Sequence, residues 1–87
     1  MKIKDGFILR QVADSYIVVA VGDSVKEFNG IINLNETGAF IWGLFQKEAS
    51  EEQVVSALLK EYDVDAETAR KDVKIFVDKL KDKNLIK

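Results

Sequence analysis

The sequence predicts an α+β domain: an N-terminal three-stranded antiparallel β-sheet followed by three helices, in a winged helix-turn-helix-like arrangement. Three observations carry this. β-branched and aromatic residues crowd the segment up to Leu34. From Glu36 onward the apolar residues recur at the spacing of a helix, about 3.6 residues per turn. The chain is 87 residues with no Cys, 47% hydrophobic and 32% charged, which suits one packed core under a wet surface. No linker, repeat or low-complexity stretch divides it, so residues 1–87 are expected to form a single domain.

The first strand spans Phe7 to Val12 and the second Ser15 to Val21, with Ala13-Asp14 as a short turn between them. Tyr16 to Val21 is almost wholly apolar, as expected of a central strand in a small sheet. Gly22-Asp23-Ser24 breaks it. Val25 to Asn29 has no clear period, and Asn29-Gly30 is a turn signal leading into a third strand, Ile31-Ile32-Asn33-Leu34. Consecutive strand residues face opposite sides, so one of Ile31 and Ile32 faces the core and the other is left for a covering segment of the same chain or for a peptide pocket. Leu34 shares the parity of Ile32, which favours Ile32 as the buried one.

Asn35 is placed to cap a helix that starts at Glu36, whose carboxylate suits the positive end of the dipole. Ala39, Phe40, Trp42 or Gly43, and Leu44 give that helix its apolar face, widened by Ile41 and Phe45. Ser50-Glu51-Glu52-Gln53 is a capping box opening a second helix with the stripe Val54, Val55, Leu58, Leu59 and Tyr62. Asp65 caps a third. There Ala66, Ala69, Val73, Phe76, Val77 and Leu80 fall within a stripe of about 100°. Asn84 stands where a helix end needs the left-handed conformation, and Leu85-Ile86 fold back as an apolar tail. Ile17, Val19, Leu34, Phe40, Trp42, Leu58, Val73, Phe76 and Leu80 are the expected core.

Composition narrows the chemistry. With neither His nor Cys, the chain lacks the commonest base at neutral pH, the commonest nitrogen ligand and the strongest nucleophile. The Asp and Glu residues lie mostly beside Lys or Arg or at helix starts, where solvation explains them. No Gly-rich phosphate loop is present. We expect no enzyme activity, no metal and no cofactor. The net charge of −2 argues against general affinity for nucleic acid or an anionic membrane. No apolar run reaches spanning length, and the start lacks a signal-type apolar region, so a cytoplasmic protein is expected.

Leu34-Asn35-Glu36-Thr37-Gly38, followed by an apolar stretch and Trp42, resembles the PqqD family, small proteins that work with radical enzymes in making pyrroloquinoline quinone (PQQ). The resemblance extends to the run from Asp72 through Val73, Phe76 and Leu80, and to Asn84-Leu85 where family members look like Gly-Leu. Tyr62-Asp63-Val64-Asp65 is also similar to the family's link between its last two helices. Relatives in other peptide-modification pathways are called RiPP recognition elements, RiPP denoting a ribosomally made, later modified peptide. The resemblance implies a PqqD-like, non-catalytic peptide chaperone. It would bind the leader segment of a precursor peptide by β-strand addition and present it to a modifying enzyme such as a radical SAM protein. Any iron–sulfur cluster or S-adenosylmethionine would then belong to that enzyme.

On that reading the peptide-binding residues are Gly30, Ile31, Ile32 and Asn33 on the third strand, and Asp72, Ile75, Phe76, Lys79 and Lys83 on the last helix. Ile75 is the odd residue there, apolar but opposite the buried stripe. Arg70, Lys74 and Lys81 form the helix's other rim. Each signal also has a plainer explanation: a capped helix start with a core Trp, a single exposed Ile, two solvated rims. The competing function is a winged-helix DNA-binding protein using Arg70, Lys71, Lys74, Lys81 and Lys83. Glu67, Asp72, Asp78 and Asp82 on the same helix oppose it. A third reading is a homodimeric structural protein that pairs its own strand edges; a monomer or weak homodimer is expected.

Overall fold

Ala13 has φ of +55° and Asp14 does not share a positive φ, the pattern of a type II′ turn, which joins β1 (Phe7–Val12) to β2 (Ser15–Ala20). This computed structural model describes residues 1–27, with Glu27 by its backbone alone, and residues 30–87. β3 (Ile31–Leu34) pairs with the far side of β2, so the antiparallel sheet has the order β1-β2-β3. β2 is central, as its apolar run requires. A four-residue helical turn, α1 (Ser24–Glu27), falls in the segment that has no sequence period. Of the expected Asn29-Gly30 turn, Asn29 lies outside the described residues, and Gly30 has φ of +138°. Gly6, with φ of +97°, is held close under Ser24, and any Cβ there would strike the Ser24 side chain.

The helices begin where their caps dictate. Asn35 Oδ1 accepts from the Gly38 N–H at 2.7 Å and opens α2 (Glu36–Leu44). The Ser50 box is reciprocal: the Gln53 N–H donates to Ser50 Oγ at 3.1 Å, and the Ser50 N–H to Gln53 Oε1 at 2.8 Å. It opens α3 (Glu51–Glu61). Asp65 Oδ1 accepts from the Thr68 N–H at 2.7 Å and opens α4 (Ala66–Asp82). α4 ends in a Schellman motif. Leu85 N–H donates to Leu80 O at 2.9 Å and Asn84 N–H to Lys81 O at 3.0 Å, with Asn84 at φ +59°. Asn can replace Gly here because it is the side chain most tolerant of that region.

Residues 4–40 form one compact unit, and residues 1–3 with 41–87 form another. In the first, Val18 and Ile32 are buried. This corrects the expected core: Ile17 and Val19 are only half-buried, because the register sets Val18, not its neighbours, opposite Ile32. Leu34 and Phe40, at the end of β3 and on α2, are half-buried as well.

In the second unit Ile41, Trp42 and Phe45 of the α2 region are buried. Phe45 and Ile41 are therefore the centre of that helix's face and not its margin, and Leu44 is the margin. Val54, Val55 and Leu58 of α3 are buried, whereas Leu59 is exposed at the edge of its stripe. Ala69, Val73, Phe76, Val77 and Leu80 of α4 complete the core. The first residues are tied to the last: Ile3 bridges Ile86 in antiparallel fashion, and the Lys87 N–H donates to Lys2 O at 2.8 Å. Ile3 itself is buried, a core residue with no periodic signal around it.

Candidate functional site

A two-residue hairpin closes on a hydrogen-bonded pair, here Val12 and Ser15. Counting along β2, the backbone groups of Ser15, Ile17 and Val19 then point to β1, and those of Tyr16 and Val18 to β3. The Val21 N–H continues the phase by donating to Gly6 O at 2.8 Å. Tyr16 is opposite Leu34 and Val18 opposite Ile32, so Ile32 and Leu34 spend their N–H and C=O groups on β2. Ile31 and Asn33 point theirs away. Among the described residues nothing bonds to those outward groups, and β3 presents an open edge.

Side chains directly opposite on paired strands share a face. Ile8, Val19 and Ile31 therefore make one row across the outer face, and Arg10, Ile17 and Asn33 make the next. Ile31 is 57% exposed and Ile8 40%, against 4% for Ile32 on the other face. Sequence reasoning foresaw the exposed Ile31 but not the row it belongs to, since cross-strand register cannot be read from one strand.

Asp72, Ile75 and Lys79 on α4 and Lys83 at its C-cap follow at spacings of three, four and four, so they stack as one ridge. All four are exposed, Ile75 at 57%. Among the described residues none of the three charged ones is in an ion pair. Phe76 is different. It is 8% exposed and belongs to the buried face, so it sets the position of the ridge from beneath. On the opposite rim Arg70 pairs with Glu52 of α3 at 3.6 Å, over a shallow cleft floored by Val55 and Val73. Gly30 to Asn33 lie in the unit of residues 4–40, and the ridge lies in the unit of residues 41–87.

Among the described residues no cluster of acidic side chains could hold a metal ion, and no helix is long and apolar enough to cross a membrane. Asp65 is held below its usual 3.8 by the Thr68 backbone N–H and then its hydroxyl. That is a helix cap, not a reacting group.

An antiparallel sheet whose β3 edge is open among the described residues, followed by capped amphipathic helices, defines a class of small α+β domains suited to strand addition. The family model for coenzyme PQQ synthesis protein D (PqqD) matches residues 15–86, and the chain belongs to the PqqD family. The solved structure "TbiB1 in Complex with the TbiA(beta) Leader Peptide" is similar over 100% of this chain and 95% of that one, at 26% identity and a TM-score of 0.77. "Lasso peptide synthetase B1 complexed with the leader peptide" shares the fold over 97% of this chain and 93% of that one, at 23% identity and a TM-score of 0.74. No curated protein matches the sequence.

Proposed function

We propose that residues 1–87 act as one peptide-recognition domain that binds the leader segment of a ribosomally made precursor peptide and presents it to a modifying enzyme. The observation that carries this is the open edge of β3, where the Ile31 and Asn33 backbone groups lack partners among the described residues. An extended peptide satisfies such groups by adding as a strand. Membership of the PqqD family supports the reading, as does the similarity to a TbiB1 chain solved with a leader peptide. The domain itself is not a catalyst on this reading. A radical SAM enzyme is one partner of the right kind, and any cofactor would reside there. The same support favours a peptide over DNA, and the acidic residues among the cations of α4 point the same way.

In this proposal Gly30, Ile31, Ile32 and Asn33 supply strand pairing. Ile75 supplies apolar grip, with Asp72, Lys79 and Lys83 reading polar residues and Phe76 supporting them. Among the described residues the charges of this ridge are in no ion pair, whereas the Arg70 guanidinium of the other rim already has Glu52. The test is titration of the intact, isotope-labelled chain with the leader of a short precursor gene found beside its own. Amide shifts should concentrate on β3 and α4. Asp72→Lys and Ile75→Glu should each weaken binding by at least about 1 kcal/mol. Undiminished binding by both variants, or shifts confined to α3, would sink the proposed site.

A further inference from the structure

We propose that a peptide strand added antiparallel at the β3 edge is held there in one register and read as a polar–x–apolar triplet, with the apolar residue opposite Ile31 and the polar residue opposite Asn33. This rests on the peptide-recognition reading above and specifies what that edge selects.

The phase of the ladder carries the inference. Only Ile31 and Asn33 turn hydrogen-bonding groups outward, so residues of an added strand must pair with those two, and the residue between them stands opposite Ile32. Both existing pairings are antiparallel, and an antiparallel ladder is the slightly more stable of the two. Running antiparallel, the peptide meets Asn33 first and Ile31 two residues later.

Side-chain parity then sets the preference. Peptide residues opposite Ile31 and Asn33 project on the same outer face as those side chains. Opposite Ile31, the peptide becomes the fourth member of the row Ile8–Val19–Ile31. Its first three members are all aliphatic, and Ile31 is the more exposed end. A β-branched or aromatic residue there removes apolar surface from water, while a charged one finds only aliphatic neighbours and no partner in the row. Opposite Asn33 the peptide extends the row Arg10–Ile17–Asn33, whose end is an exposed carboxamide able to donate and accept. Asn, Asp, Ser or Thr suits that position.

The probe is a peptide selected from a random library displayed on phage against the intact chain. Amide hydrogen exchange is followed residue by residue with and without it. In the free protein the Ile32 and Leu34 amides should already be protected and those of Ile31 and Asn33 open; the peptide should close the latter two. Ile31→Glu should lower affinity about tenfold, and Lys in place of the peptide's apolar residue should restore most of the loss. Ile31→Thr, which keeps β propensity, controls for the strand itself. New protection at Ile32 and Leu34, a triplet that enriches in the reverse order, or no rescue by Lys overturns the register alone. Failure to select any binder, or protection only at the β1 edge or on helices, overturns the peptide-recognition site and the register with it.

Discussion

Ile31 and Ile32 are neighbours in sequence and opposites in environment: the first is 57% exposed on the outer face, the second 4% exposed beside buried Val18. One strand thus serves two ends, a buried anchor and a free edge. The pair makes a direct comparison. Ile32→Ala should destabilise the protein by about 2–5 kcal/mol, whereas Ile31→Ala should stay within about 0.5 kcal/mol. Urea unfolding of both variants measures this, and similar losses in the two would contradict the observed parity.

Trp42 is the largest side chain in the core and only 2% exposed. Trp42→Ala should cost about 3–5 kcal/mol, a large share of what a domain this small has to lose. Loss of cooperative thermal unfolding, or of native amide dispersion at room temperature, is the expected result. A variant as stable as the wild type would show that α2 is not anchored through this ring.

Two non-glycine residues sit at positive φ, Ala13 in the hairpin turn and Asn84 after α4. Ala lacks a side chain that eases this conformation, so Ala13→Gly should raise stability by about 0.5–1 kcal/mol despite the greater freedom of the unfolded chain. Asn84→Gly should gain less, since Asn already tolerates the region. Asn84→Val should be destabilising, because a β-branched side chain fits there worst. Denaturation midpoints of the three variants rank the effects.

The lowered Asp65 pKa gives a pH signature of a definite sign. A carboxyl whose folded value lies below its unfolded one adds stability above the unfolded value, and that contribution fades as pH falls through the folded value. Asp65→Asn keeps an acceptor for the Thr68 N–H but removes the charge. The stability gap between wild type and variant should therefore be widest at neutral pH and close in acid, as read from unfolding midpoints across pH. A constant gap would mean that the charge contributes nothing to the cap.

Much of the fold was legible because its signals are local. The Asn35, Ser50 and Asp65 caps each satisfy N–H groups a few residues away, and Asn84 closes α4 through bonds to the preceding turn. Such features depend on neighbours along the chain, so reading residues in order finds them. The Ile31–Ile32 division was visible for the same reason, as strand parity is a property of one strand.

What the tertiary structure alone decided was which parity is buried on β2, and what lies beside what. Ile17, Val18 and Val19 are equally apolar, and only pairing with β3 sets Val18 inside and its neighbours on the outer rows. Ile3 carries no periodic signal, and its burial follows from a bridge to Ile86 at the other end of the chain. Arg70 on one rim of α4 and the charges of the Asp72 ridge on the other look alike in sequence until Glu52 of another helix is brought to Arg70. By itself the sequence determined the three strands, the three longer helices, their caps and the family they belong to, but not the short α1. Register, burial and charge pairing join residues far apart in the chain, and those were settled only when the chain closed on itself.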